Sequence, residues 1–288
     1  MSTQALFGQL LIGLINGSFY ALLSLGLAVI FGLLNIINFA HGAQYMLGAF
    51  AAYFLLNKLG LNYWFALVLA PIIVGASGVV IERLMLKRLY KLDHLYGLLL
   101  TFGLALIIEG AFHHQFGSAG LPYSIPESLQ GVQNLGFMFL PNYRAWVIVA
   151  SLTICIATWF VIERTKLGAY LRAATENPTM VQAFGVNVPR MIMLTYGAGV
   201  GLAALAGVFA APIYQVSPQM GSSLIIVVFA VFVIGGMGSI MGSIVTGFGL
   251  GVIEGLTKFF YPQASSTVIF VIMAIVLLIR PQGLFGQR

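Results

Sequence analysis

The chain alternates long apolar runs with short polar breaks. Apolar segments fall near residues 7–33, 42–57, 63–83, 95–113, 144–163, 191–212, 223–237, 240–258 and 264–280. A helix that crosses a membrane needs about 20 mostly apolar residues, because lipid offers no partner to an unbonded backbone group. These runs predict an all-α protein, a polytopic transmembrane helical bundle of roughly eight to ten spans. They leave room for a single transmembrane domain over residues 1–288. The segments near 42–57 and 223–237 are short for a full crossing and predict broken or re-entrant elements. Such backbone survives at membrane depth only when protein covers it or a water-filled cavity faces it.

One polar island interrupts the pattern. Residues 164–190 read RTKLGAYLRAATENPTMVQAFGVNVPR. They hold Arg164, Lys166, Arg172, Glu176 and Arg190, five members of a chain-wide set of only 13 basic and 7 acidic residues. Apolar segments on both sides make the island a water-exposed loop between two spans. Its grammar is that of a short helix: Thr175 or Asn177 to cap it, Pro178 for the first turn, Gly185 to stop it.

Composition sharpens this picture. The chain is 60% hydrophobic and 7% charged, whereas a soluble domain is about 25% charged. The net charge of +6 would point to nucleic acid in a soluble protein. Here the positive residues gather in three short stretches: Arg83, Lys87, Arg88 and Lys91; the island; and Arg280 with Arg288. The positive-inside rule places all three in the cytoplasm. The loop 114–143 and the N-terminus are then external, and no nucleic-acid partner is expected. No Lys or Arg precedes Lys58, and the first apolar run outlasts a signal-peptide core, so it reads as a retained span. Cys155, the single cysteine, lies in an apolar run and reads as packing.

Gly235, Ser239, Ser243, Gly247, Gly251 and Gly255 recur every fourth residue. On one helix they form a smooth seam for a close neighbour, which the Gly235-Gly236-Met237-Gly238 cluster is placed to break.

No catalytic constellation is present. The sequence has neither a phosphate-binding Gly-rich loop with its Lys nor a His-Glu-x-x-His zinc helix. His113 and His114 read as interfacial residues, not metal ligands. Glu82 and Glu163 sit beside Arg83 and Arg164 at inner span ends, where water or headgroups solvate them. Glu109 and Glu254 lie near outer span ends. Lys258 follows Glu254 at the i,i+4 spacing of an ion pair. Asn35, Asn38 and His41 recur every third residue, with Gln44 beyond. Polar groups at such depth need partners, so they either bond across helices or line a polar pathway. His41-Gly42 is also a candidate break between half-helices.

Three ordered motifs carry a family likeness. Ile37-Asn38-Phe39-Ala40-His41-Gly42, followed by Met46-Leu47-Gly48-Ala49, resembles a signature of the permeases of branched-chain amino acid ABC transporters. Leu167-Gly168, Arg172-Ala173, Glu176-Asn177 and Gly185-Val186-Asn187-Val188 resemble their cytoplasmic coupling segment. Arg280-Pro281-Gln282-Gly283-Leu284-Phe285-Gly286 resembles their C-terminal ending. The length is like that of the shorter, LivH-type member of the permease pair. The island departs from the wider importer pattern of Glu-Ala-Ala followed by Gly, having Arg172-Ala173-Ala174 and a later Gly185.

The resemblance implies a multi-pass permease subunit of the bacterial inner membrane, moving leucine, isoleucine or valine inward. It implies two ABC ATPase subunits inside, a second related permease, identical or different, and a periplasmic substrate-binding protein outside. ATP is then used by the partners, and the chain itself binds no cofactor and is no enzyme. Asn177, Pro178, Val181 and Phe184 are the expected ATPase contacts, flanked by Arg172 and Glu176, with Gln182 a weaker candidate. The same machine carrying urea, short amides or other amino acids is an alternative. A stand-alone secondary transporter or channel is another, and it would transport without companions.

Overall fold

The computed structural model describes residues 3–34, 38–90 and 92–286. Asn35, Ile36, Ile37, Lys91 and Arg288, all singled out above, lie outside the described residues. The helices run in order α1 (Thr3–Leu34), α2 (His41–Leu59), α3 (Tyr63–Leu84), α4 (His94–Phe116), α5 (Asn142–Arg164) and α6 (Lys166–Glu176). Then come α7 (Pro178–Ala183), α8 (Val188–Tyr214), α9 (Ser222–Gly235), α10 (Ile240–Phe260) and α11 (Val268–Ile279). Among the described residues the only strands are β1 (Val132–Asn134) and β2 (Phe139–Pro141), a small antiparallel hairpin between α4 and α5.

Each apolar run of the sequence coincides with a helix. Among the described residues seven helical segments are long and apolar enough to cross a membrane, and the shorter α11 is apolar throughout. The protein is a multi-pass membrane protein. At 19 residues α2 is long enough, but it is not among the seven. It starts inside the bundle: the His41 Nε2 lies 3.1 Å from the carbonyl oxygen of Leu23, well before the end of α1. The short run near 223–237 is α9, which a 3-10 turn at Pro218–Met220 precedes.

The central helix is α1. Protein buries 83% of its most apolar window, against 11% for α4. Burial from water cannot drive helix association within lipid, so close backbone approach through small residues takes over. A Cβ on Gly251 of α10 would lie 2.5 Å from the Gly17 nitrogen of α1. Gly13 against Gly255 and Ala21 against Gly247 extend the contact along both helices. The expected seam is therefore real from Ser243 to Gly255, and Ser24 Oγ adds a 3.2 Å hydrogen bond to the Ser243 carbonyl. It does break at the Gly cluster: Gly235 belongs to α9, and Ser239 caps α10 by accepting from the Gly242 N–H at 3.1 Å. On its other side α1 meets α8, where Gly26 faces Gly199. Cys155 is fully buried in the core.

The two ends of the bundle differ. At one end lie the close of α3 with Arg83, the α6–α7 island and the C-terminal segment. There Leu86 packs with Tyr196 near the start of α8, and Phe285 shares a crevice with Arg172. At the far end lie the start of α1 and the α4–α5 loop, joined by Phe7 against Phe137, with ring centres 4.8 Å apart. That loop also pairs with the α8–α9 connector through Leu121 and Val216, by backbone bonds of 2.8 and 2.9 Å.

Chain ending and helix ending meet at the basic end. The Leu284 and Phe285 N–H groups donate to the Ile234 and Gly235 carbonyls at 2.8 and 3.1 Å. These are carbonyls that the end of α9 leaves without an intrahelical partner. Gly283, at φ +82°, turns the chain back against Gly236.

Candidate functional site

The island forms two helices where the sequence predicts one. Gly168 has no side chain to collide with the Ile162 carbonyl, so the chain turns directly from α5 into α6. Arg172 then reaches back. It donates to the Ile162 carbonyl at 3.2 Å, at the end of α5, and lies 3.4 Å from the Glu163 carboxylate. Both side chains are about half exposed, so water screens the pair and it contributes at most about 1 kcal/mol. Its use is to hold α6 against α5.

Asn177 separates α6 from α7. Its side-chain oxygen accepts from the Met180 N–H at 3.0 Å, and Pro178 occupies the first helical position, which needs no donor. Thr175 instead donates to the Arg172 carbonyl at 2.6 Å. Gly185, at φ +83°, ends the helix.

Beneath this turn Leu171, Ala174, Val181, Val188 and Met191 form a small apolar cluster. Val181 is only 8% exposed. It offers no free face, because α7 is too short to stay folded in water unless one side is buried. Above it Phe184 is 80% exposed and Met180 59%. Pro178, Glu176 and Gln182 are also exposed. These two large apolar side chains stand free on an otherwise polar element. A crevice of about 380 Å³ separates this platform from the bundle, with Arg172, Glu176, Gly32 and Phe285 among its walls.

The polar residues near α2 are buried and bonded. Asn38 donates to the Gln44 side chain at 3.0 Å and accepts from the Ala40 N–H at 3.1 Å, forming the turn that starts α2. Asn38, His41 and Gln44 are each at most 1% exposed. The Gly42 backbone meets Gly221 closely, seating the start of α2 against the start of α9.

Two carboxylates differ from their expected settings. Glu254 does not pair with Lys258: among the described residues the one ion pair is Arg172 with Glu163. Glu254 instead accepts from the Tyr20 hydroxyl at 2.7 Å and from the Asn16 amide at 3.3 Å. Those partners sit on α1, beyond the reach of a helical-spacing rule. Glu82 is not solvated but 2% exposed, and the Tyr90 hydroxyl donates to it. Burial, with the Glu82 carboxylate second, holds the Tyr90 phenol protonated far above its usual range. Glu109 accepts from Ser222 at 3.0 Å.

The chain is similar to curated proteins over nearly its whole length. The high-affinity branched-chain amino acid transport system permease protein BraD of Pseudomonas aeruginosa is 31% identical, covering 97% of this chain and 95% of that protein. The permease protein LivH of the same kind of system in Salmonella typhimurium is 30% identical, over 100% of this chain and 98% of that protein. The longer permease protein LivM of Salmonella typhimurium is 26% identical, over 92% of this chain and 67% of that protein. No solved structure matches the chain. A family model described as branched-chain amino acid transport system / permease component matches residues 9–278, and the chain belongs to that family.

Proposed function

We propose that this chain is a permease subunit of an ATP-driven ABC importer for branched-chain amino acids in a bacterial inner membrane. ABC ATPase subunits dock on the α6–α7 platform, and a related second permease completes the membrane unit. A periplasmic binding protein delivers leucine, isoleucine or valine at the far end. ATP is hydrolysed by the partners and not by this chain.

The observation that carries this reading is Phe184. An aromatic side chain 80% exposed on a capped, water-facing helix fits an apolar pocket of a partner. Met180 widens the contact, while Asn177 and Pro178 fix its direction. Val181 supports it from beneath, and Arg172 and Glu176 flank it. Because α6 continues from α5 and α7 leads into α8, a push on Phe184 reaches two spans. Rotating rigid elements about a packed interface is a common route for such coupling.

The experiment is Phe184→Asp in the complete transporter. Membrane insertion should be unchanged, since Phe184 touches no core. ATP-dependent leucine uptake should fall to background, and the ATPase subunits should no longer co-purify. Unchanged leucine uptake would refute the docking surface.

A further inference from the structure

Between α1, α8 and the α8–α9 connector lies a cavity of about 400 Å³. Small-molecule sites run from roughly 300 to 1,000 Å³. It lies toward the far end, beneath the connector that Leu121 and Val216 tie to the α4–α5 loop. One wall is a chain of hydrogen bonds. The Tyr214 hydroxyl donates to the Asn16 side-chain oxygen at 2.6 Å, and the Asn16 amide and Tyr20 hydroxyl both donate to Glu254.

The direction of those bonds matters. Tyr20 and Tyr214, which line the cavity, spend their protons within the chain, so their oxygens can act there only as acceptors. Glu254 stands behind Tyr20 and Asn16, and among the described residues no cation is ion-paired to it, while the Arg144 cation is near enough to act on Tyr214 at the other end of the chain of bonds. The wall is acceptor-rich, and its Tyr20 end is backed by the Glu254 carboxylate, so that end favours a positively charged donor. Phe19, Met220 and Leu224 supply an apolar wall, and the Gln219 amide supplies a donor.

We infer that this cavity binds an aliphatic amino acid, with its ammonium group on Tyr20 and Tyr214 and its side chain on Phe19, Met220 and Leu224. Glu254 is a positioning residue: it fixes the hydroxyl directions and adds the charge. Gln219 is placed to donate to the ligand carboxylate. The inference rests on the import reading above and adds to it a site within the permease itself. A free monovalent cation shares the chemistry of the ammonium group, and the experiment separates the two.

The test uses the complete complex, purified without its binding protein, and isotopically labelled L-leucine. Saturable leucine binding is expected. Glu254→Gln, which keeps an acceptor for Tyr20, should weaken it about tenfold or more, and Tyr20→Phe should do the same, as loss of a charge-assisted bond does. Isoamylamine, which keeps the amine, should compete; 4-methylpentanoate, which lacks it, should not. Melting temperatures within a few degrees of wild type identify variants that have folded. Leucine affinity unchanged in both variants, with the wild type importing leucine, overturns this inference alone. Sodium binding that leucine does not displace assigns the cavity to a metal cation and also overturns it. A wild-type complex that hydrolyses ATP but imports no leucine overturns the import reading itself.

Discussion

Replacing Gly251 with Ala should drive α1 and α10 apart. The added methyl would stand 2.5 Å from the Gly17 nitrogen and would also overlap the Gly13 carbonyl and the Gly17 Cα. Normal contact begins near ~3.5 Å, so the backbones must separate by about 1 Å. Such a gap forfeits about a quarter to a half of each contact well along the crossing. The rows at Gly13, Gly17 and Ala21 all share it. Overpacking of this kind costs about 1–3 kcal/mol. At roughly 2–4 °C per kcal/mol, that lowers the melting temperature by about 2–12 °C. Gly249→Ala is the internal control. It lies on the same helix, and its new methyl meets nothing within 4 Å. Removing a helical Gly there should be neutral or stabilising by about 0.5–1 kcal/mol. Thermal unfolding of both variants, followed by size-exclusion chromatography in detergent, decides the matter. Equal melting temperatures would refute the argument that α1 and α10 are held by backbone proximity.

Two further outcomes follow from the basic end. Tyr90→Phe leaves the buried Glu82 carboxylate without its phenol donor, and should cost about 1–3 kcal/mol in thermal stability; a melting curve unchanged from wild type would contradict the buried setting of Glu82. Gly168→Ala puts a methyl into the Ile162 carbonyl, so α6 must leave α5. Proteolysis within residues 164–190 should accelerate while the spans stay protected, and an unaltered cleavage rate would argue against the tight α5–α6 turn.

The sequence exposes what is local. Spans are legible because lipid demands continuous apolar runs, and every run became a helix. The α7 turn is legible because Asn177, Pro178 and Gly185 each act on backbone groups within a few residues. The helix α6 escapes notice because Asn177 and Pro178 draw attention to the later turn, although Leu171 and Ala174 give the signal of a buried face. Glu254 shows where local reasoning fails. Lys258 is the neighbour along its helix, but Tyr20 and Asn16 lie 234 and 238 residues away. Spacing on one helix cannot weigh such partners. Glu82 is similar: Arg83 beside it suggests a surface, yet its burial depends on how the chain folds back at Tyr90.

The beginning of α2 bears on how the protein is made. Its first turn carries His41 against Leu23 of α1 and Gly42 against Gly221, and farther along Gly48 meets Ala204 of α8. The last two neighbours are synthesised about 150 residues after α2 leaves the ribosome. Until they arrive, the polar start of α2 has only its earlier-made neighbours to cover it, and bare lipid is a poor host for its amides. The close packing of Gly42 and Gly48 can therefore be completed only once α8 and the start of α9 are in place.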